Sequence, residues 1–114
     1  MKSPLKQKSY NFALRIINLY KYLVGKKEFV LSKQILRSGT AIGALITEAK
    51  FRQSKADFSS KMSIALKEAN ETVYWLCLLN DSGYINKRMF SSLDKGLQEL
   101  MAMLVATVKT SRKK

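Results

Sequence analysis

No proline interrupts a helix in this chain after its first few residues. The only proline is Pro4, and the glycines at 25, 39, 43, 83 and 96 are scattered. No Asn-Gly or Asp-Gly pair marks a hairpin, and no stretch alternates apolar with polar residues as a half-buried strand would. Apolar residues recur instead at three- and four-residue steps, the spacing of a helix face.

Four segments follow. Ser3 and Pro4 open the first, serine as N-cap and proline at a position where no amide hydrogen is lost. It runs to Val24, with Phe12, Ile16, Leu19 and Leu23 as its stripe and Ala13, Ile17, Tyr20 and Val24 widening it. Gly25 is the expected stop, because glycine takes the left-handed conformation without a Cβ clash. The second segment spans Glu28 to Phe51 and lacks a recognisable cap. Its buried side is marked by Leu31, Ile35, Ile42, Ile46 and Ala49. Gly39 and Gly43 lie four apart on it, each costing about 0.5–1 kcal/mol relative to alanine. With Ser38, Ala41 and Ala44 they form a small-residue seam where a neighbouring backbone is expected to approach closely.

Ser54-Lys55-Ala56-Asp57 has the form of a capping box and separates the second segment from the third, Lys55 to Ser82. Phe58, Met62, Ala65, Ala69, Val73, Leu76 and Leu79 line the third, and Gly83 ends it. Asn86 caps the fourth, with Ile85 and Phe90 placed as a hydrophobic staple. Leu93, Leu97, Leu100, Leu104 and Val108 carry its stripe to Lys109, and the basic tail 109–114 is expected to fray. Amphipathic segments joined by short connections predict an all-α fold, an antiparallel up-and-down four-helix bundle, as a single domain over residues 1–114.

Charge narrows the function. Lys and Arg outnumber Asp and Glu by 21 to 8, a formal net charge of +13. Residues 1–61 hold +10 of it and residues 62–114 only +3. Such a surface attracts polyanions, nucleic acid first and an anionic membrane surface second. The chain has no histidine and one cysteine, Cys77. That removes the commonest general base and zinc ligand, and it leaves no thiol pair for a disulfide. No cofactor, metal or catalytic residue is expected, and the protein is read as not an enzyme. No apolar run reaches the length of a membrane span, and the apolar stretch after the lysine-rich start is broken by Asn11, Arg15 and Asn18. A cytoplasmic location with no membrane partner is the expectation.

The order and spacing of several short motifs resemble a known family. Gln34 to Ala44, with Arg37-Ser38-Gly39-Thr40-Ala41-Ile42-Gly43 at its centre, looks like the second-helix signature of the bacterial four helix bundle proteins, also called 23S ribosomal RNA intervening-sequence proteins. Glu48-Ala49, Ser54, Asp57-Phe58, Lys61, Ile64-Ala65, Lys67-Glu68-Ala69, Glu71-Thr72, Tyr74-Trp75-Leu76 and Leu78-Leu79 fit the same pattern, as do Lys8-Ser9-Tyr10, Phe12-Ala13 and Ile16. Ala41 and Leu45 depart from it, standing where serine and asparagine are expected. The resemblance implies a four-helix bundle in a ring-like homo-oligomer, a pentamer. A similar fold serves as the accessory variability protein of diversity-generating retroelements, where a basic pentamer binds reverse transcriptase and nucleic acid.

Two groups of residues are therefore of interest. Lys21, Lys26, Lys27 and Lys33 surround the first junction, and Lys50, Arg52 and Lys55 the second, at the opposite end of an antiparallel bundle. Aromatic side chains are not clearly interleaved with them, which points to phosphate-led binding with little sequence discrimination. The carboxylates Glu48, Glu68 and Glu71 lack the histidines of a di-iron bundle and are expected to pair with Arg37, Lys67 or Arg52, Arg37 with an acid on the third helix. Cys77 is expected to be a buried, inert thiol. Tyr74 and Trp75 point about 100° apart on a helix, so one is expected to fill the bundle and the other a subunit contact. The expected function is a non-enzymatic oligomer binding nucleic acid through phosphates, as accessory to a reverse transcriptase or ribonucleoprotein. The alternative is a protein-interaction scaffold with no nucleic-acid binding.

Overall fold

In the computed structural model, which describes residues 3–51 and 53–112, the chain forms four helices: α1 (Pro4–Gly25), α2 (Leu31–Ala49), α3 (Lys55–Asp81) and α4 (Lys87–Arg112). Three of them begin where a short polar side chain takes up free amide hydrogens. Ser3 Oγ accepts from the Lys6 amide at 3.4 Å, and Asn86 Oδ1 from the Met89 amide at 2.8 Å. Ser54 Oγ accepts from the Asp57 amide at 3.0 Å, while the Asp57 carboxylate reaches back to the Gln53 amide at 3.3 Å. Ile85 is buried and Phe90 half-buried on either side of the α4 cap, where a staple places them.

The fourth start corrects the sequence expectation. α2 begins at Leu31 with Val30 at the cap position, and the residue expected to be its first, Glu28, lies before it and supplies the side chain that takes up its free amides. The buried Glu28 carboxylate accepts from the amides of Val30 at 3.3 Å, Leu31 at 3.0 Å and Ser32 at 2.6 Å. Glutamate is longer than the usual capping residues, so it reaches these amides from two residues before the cap position. The same residue closes the preceding helix. Its amide donates to the Leu23 carbonyl, and the Lys27 amide to the Val24 carbonyl, both at 2.9 Å. These are the paired bonds of a Schellman stop. The left-handed residue in it is Lys27, with φ 65°, and Gly25 is simply the last helical residue. The end of α3 follows the expectation: Gly83 has φ 85°, and Gly83 and Tyr84 donate to Asn80 and Leu79 at 3.2 and 3.0 Å. α4 stays helical through Arg112, beyond the expected end at Lys109.

α1 packs on α2, α2 on α3 and α3 on α4, and α4 closes more sparsely against α1. The contacts run in opposite order along each pair. Ser9 lies against Gly43 and Ile16 against Gly39; Arg37 meets Glu68, whereas Glu48 meets Lys61. Lys8 meets Glu99 and Arg15 meets Ser92, and Arg112 reaches Ser63. All neighbours are therefore antiparallel, in a rod of 48 × 24 × 20 Å. Fully buried Ile16, Leu23, Ile35, Ile42, Leu76, Leu79, Leu97, Leu100 and Leu104 fill its axis. Each such side chain stabilises the fold by about 1.5–3 kcal/mol through apolar burial.

The expected close approach to α2 divides in two. A Cβ on Gly43 would meet the Ser9 hydroxyl and carbonyl at 3.4 and 3.5 Å, so here the neighbour is backbone. A Cβ on Gly39 would fall 2.9 Å from Ile16 Cγ1 and 3.0 Å from Cγ2, so here it is a side chain. Ala44 is exposed and takes no part in the seam. In α3 the fully buried position is Thr72, with Val73 only half-buried. The Thr72 and Ser38 hydroxyls are 2.8 Å apart, and Thr72 Oγ1 is also 2.8 Å from the Glu68 carbonyl. With one proton on each hydroxyl, Thr72 donates to that carbonyl and accepts from Ser38, leaving both satisfied.

Gly39→Ala is expected to destabilise by about 1–3 kcal/mol in denaturant unfolding, because the branched Ile16 side chain cannot rotate away in a filled core. Gly43→Ala meets only ordinary contacts and gains helix propensity, so it is expected to be neutral or stabilising. Equal losses at the two positions would refute the distinction.

Glu28 gives a pH-dependent prediction. Burial pushes its carboxyl up, but the amides of Leu31, Ser32 and Val30 outweigh burial and hold it below the usual carboxylate range. A depressed folded value gives stability above the unfolded pKa of about 4.3, and that stability is lost as pH falls toward the folded value. Glu28→Ala is expected to cost about 1–3 kcal/mol at neutral pH, and its unfolding free energy should vary less below pH 4 than that of the parent. Parallel acid profiles for the two proteins would count against the carboxylate cap.

Candidate nucleic-acid interface

An up-and-down bundle brings alternate connections to the same end. The α1–α2 and α3–α4 connections share one end; the α2–α3 connection, the start of α1 and the end of α4 share the other. Lys21, Lys26, Lys27 and Lys33 are all exposed around the first end. The fold adds Lys87 and Arg88 from the first turn of α4, both exposed. Their distance along the chain from the first junction hides this grouping, although the antiparallel order of four helices is enough to find it. Lys50 and Lys55 are exposed at the second end, joined by Lys109 and Arg112 from the last turn of α4. Arg52 lies outside the described residues.

Five of the eight carboxylates are held in ion pairs, Glu48 and Asp57 among them beside the second end. Lys8 pairs with Glu99 at 3.0 Å, and Lys61 lies 3.7 Å from Asp57 and 3.9 Å from Glu48. Arg37 donates to Glu68 at 3.1 Å and to Glu71. Glu48 is thus paired with Lys61, and neither Lys67 nor Arg37 takes it. Three basic side chains account for every salt bridge among the described residues, and none of Lys21, Lys26, Lys27, Lys33, Lys50 or Lys55 forms one. These end lysines are therefore not held in ion pairs among the described residues, and they outnumber the acids beside them, of which Asp81, the last residue of α3, is exposed at the first end.

Arg37, Glu68 and Glu71 form one polar cluster with Trp75, whose indole N–H donates to the Glu71 carboxylate at 2.9 Å. That bond and the Arg37 guanidinium hold the Glu71 carboxyl below the usual range, and the Glu71 bond in turn raises the Arg37 value. Both carboxylates are turned to a guanidinium, an arrangement that pins α2 to α3 in one register. Trp75 is half-buried on the core and Tyr74 is 57% exposed, its ring edge-on to the indole with centroids 5.0 Å apart. Cys77 is half-buried, less enclosed than expected.

The ends also carry aromatic side chains, which corrects the expectation that none are interleaved with the cations. Phe29 is 52% exposed between Lys27 and Lys33, and Phe51 is 77% exposed beside Lys50. The Lys50 ammonium stands 5.9 Å from the Phe51 ring centroid, and that of Lys26 stands 5.0 Å from Tyr22. Cations beside exposed rings suit phosphates and unstacked bases together. Among the described residues no helix is long and apolar enough to cross a membrane.

A family model described as 23S rRNA-intervening sequence protein matches residues 1–106. The crystal structure of a protein of unknown function from the S23 ribosomal protein family of Bacteroides thetaiotaomicron VPI-5482 is similar at 55% sequence identity. The similarity covers 92% of this chain and 98% of that one, with a TM-score of 0.91. No curated protein matches the chain.

Proposed function

Because the chain belongs to the 23S rRNA-intervening sequence protein family, we propose that it is a non-enzymatic module that binds nucleic acid through phosphate contacts at the two ends of its bundle. The observation that carries this reading is the separation of charge. Five carboxylates are held in ion pairs and Glu28 is bonded to the start of α2, while among the described residues the more numerous end lysines stand exposed and form no salt bridge, beside Phe29 and Phe51. Phosphates satisfy such cations without reading sequence. In this reading the protein acts as an accessory to a larger ribonucleoprotein or a reverse transcriptase, holding the strand while the partner acts on it.

The titration that tests it varies salt. Affinity for a mixed-sequence RNA should fall linearly in log–log form, with a slope set by the number of phosphates neutralised. Reversing Lys50 and Lys55 to glutamate, or Lys26, Lys27 and Lys33 as a second set, should flatten the slope by about one for each phosphate that is no longer neutralised. Absence of binding at low salt would leave the protein-interaction scaffold as the better reading.

The proposal includes a ring-like homo-oligomer, with the pentamer implied by the family resemblance as its size. Tyr10, Leu14 and Ile17 lie exposed at four- and three-residue steps along α1. Beside them is a groove of about 1200 Å³ lined by Tyr10, Ala13, Thr40, Ala44, Phe58 and Met62 among others. A net charge of +13 per chain opposes self-association, so an apolar contact of this kind has to supply it. Light scattering is expected to give a mass several times that of one chain, and Leu14→Glu to reduce it to the monomer. A monomeric parent protein would overturn the ring.

A further inference from the structure

We propose that the groove between the second half of α1 and the start of α4 is a subsite for one unstacked nucleotide of a single strand. The groove has a volume of about 400 Å³, the size of a small-ligand cleft, and Arg15, Tyr22 and Arg88 stand around a floor of Leu19, Met89 and Leu93. Among the described residues none of its lining side chains is acidic.

Arg15 is placed for such a ligand. Its Nη1 donates to the Ser92 carbonyl at 3.3 Å and its Nη2 to Ser92 Oγ at 2.6 Å. These acceptors are neutral, so the guanidinium is held in position with its charge uncancelled. Gly96, inside α4, makes the room: a Cβ there would lie 3.2 Å from Arg15 Nη1. Arg88 lines the same groove from the first turn of α4 and forms no salt bridge among the described residues. Two guanidinium groups without carboxylates suit a phosphate, which Arg binds by paired N–H donors.

The remaining wall suits a base. Tyr22 is 38% exposed and lines the groove together with apolar Leu19, Met89 and Leu93. A nucleobase entering the groove can lie on that ring and cover Leu19 and Met89, contacts that a base kept inside a duplex cannot make. Lys26, 5.0 Å from the Tyr22 ring, continues the cationic track from the groove to the end of the bundle. The subsite therefore deepens the proposed nucleic-acid reading, on which it rests, and adds a preference for single strands to what the end lysines supply.

Fluorescence anisotropy with a labelled ten-nucleotide oligothymidylate and a duplex of equal length tests this. Tyr22→Ala is expected to weaken the single strand at least about fivefold, the lower range of base–aromatic stacking. It should leave duplex affinity and both salt slopes unchanged, and Tyr22→Phe should retain binding. Arg88→Gln should lower the single-strand salt slope by about 0.7, the value for one phosphate. As a measurement on the unaltered protein, a 5-iodouracil oligonucleotide should photocross-link at Tyr22. Single-strand affinity within twofold of the parent in Tyr22→Ala, or cross-links confined to other residues, would overturn the subsite and leave end-lysine binding standing. No binding of either nucleic acid by the parent protein would overturn both.

Discussion

The bundle depends on a buried seam that repeats every seven residues in steps of three and four. In α1 it runs through Leu5, Ser9, Phe12, Ile16, Leu19 and Leu23; in α2 through Ser32, Ile35, Gly39, Ile42, Ile46 and Ala49. α3 continues it with Met62, Ala65, Ala69, Thr72, Leu76 and Leu79, and α4 with Leu93, Leu97, Leu100 and Leu104. A seven-residue repeat keeps one stripe facing its neighbours along long helices, which is why the helices can lie nearly side by side. Small residues at chosen points on the seam set how near they come. Gly39 receives Ile16, Gly43 accepts the backbone at Ser9, and Ser38 meets Thr72.

Where the helices stop is decided by the hydrogen-bonding groups at their ends. Helix ends leave amide hydrogens and carbonyls without partners, and each end must find them. Glu28 serves two ends at once, its amide closing α1 and its carboxylate opening α2. This ties the turn angle between α1 and α2 to one side chain. The Glu28 carboxylate stays at the basic end, where amides of α2 rather than Lys26 or Lys27 hold it.

Charge is sorted along the rod in the same way. Arg37, Lys61 and Lys8 hold five carboxylates, three along its sides and two beside the second end, and link α2 to α3 and α1 to α4. Exposed pairs of this kind contribute little to stability, about 0–1 kcal/mol each, but they fix register and use up negative charge. What remains at the ends is positive, with phenylalanine and tyrosine rings beside it. The proposed function and the proposed subsite both draw on this remaining charge, the first through the lysines at the tips and the second through Arg15 and Arg88.

The sequence by itself determined the helices, their order and most of their faces. Phe12, Ile16, Leu19 and Leu23, or Leu93, Leu97, Leu100 and Leu104, are legible because apolar side chains at helical spacing have one economical place to go. Caps at Ser3, Ser54 and Asn86 are legible because their partners lie three residues away. What the sequence did not reveal is polar and distant. Thr72 is buried in preference to Val73 because the seam, not hydropathy, fixes the position, and Ser38 across the interface satisfies its hydroxyl. Glu28 is a cap because the turn folds it back onto amides that it precedes in no standard capping pattern. Arg15 meets Ser92 only because the fourth helix packs beside the first in this register. Local spacing settles what a segment becomes; which charges and polar groups meet depends on packing between helices, and that was decided by the tertiary structure alone.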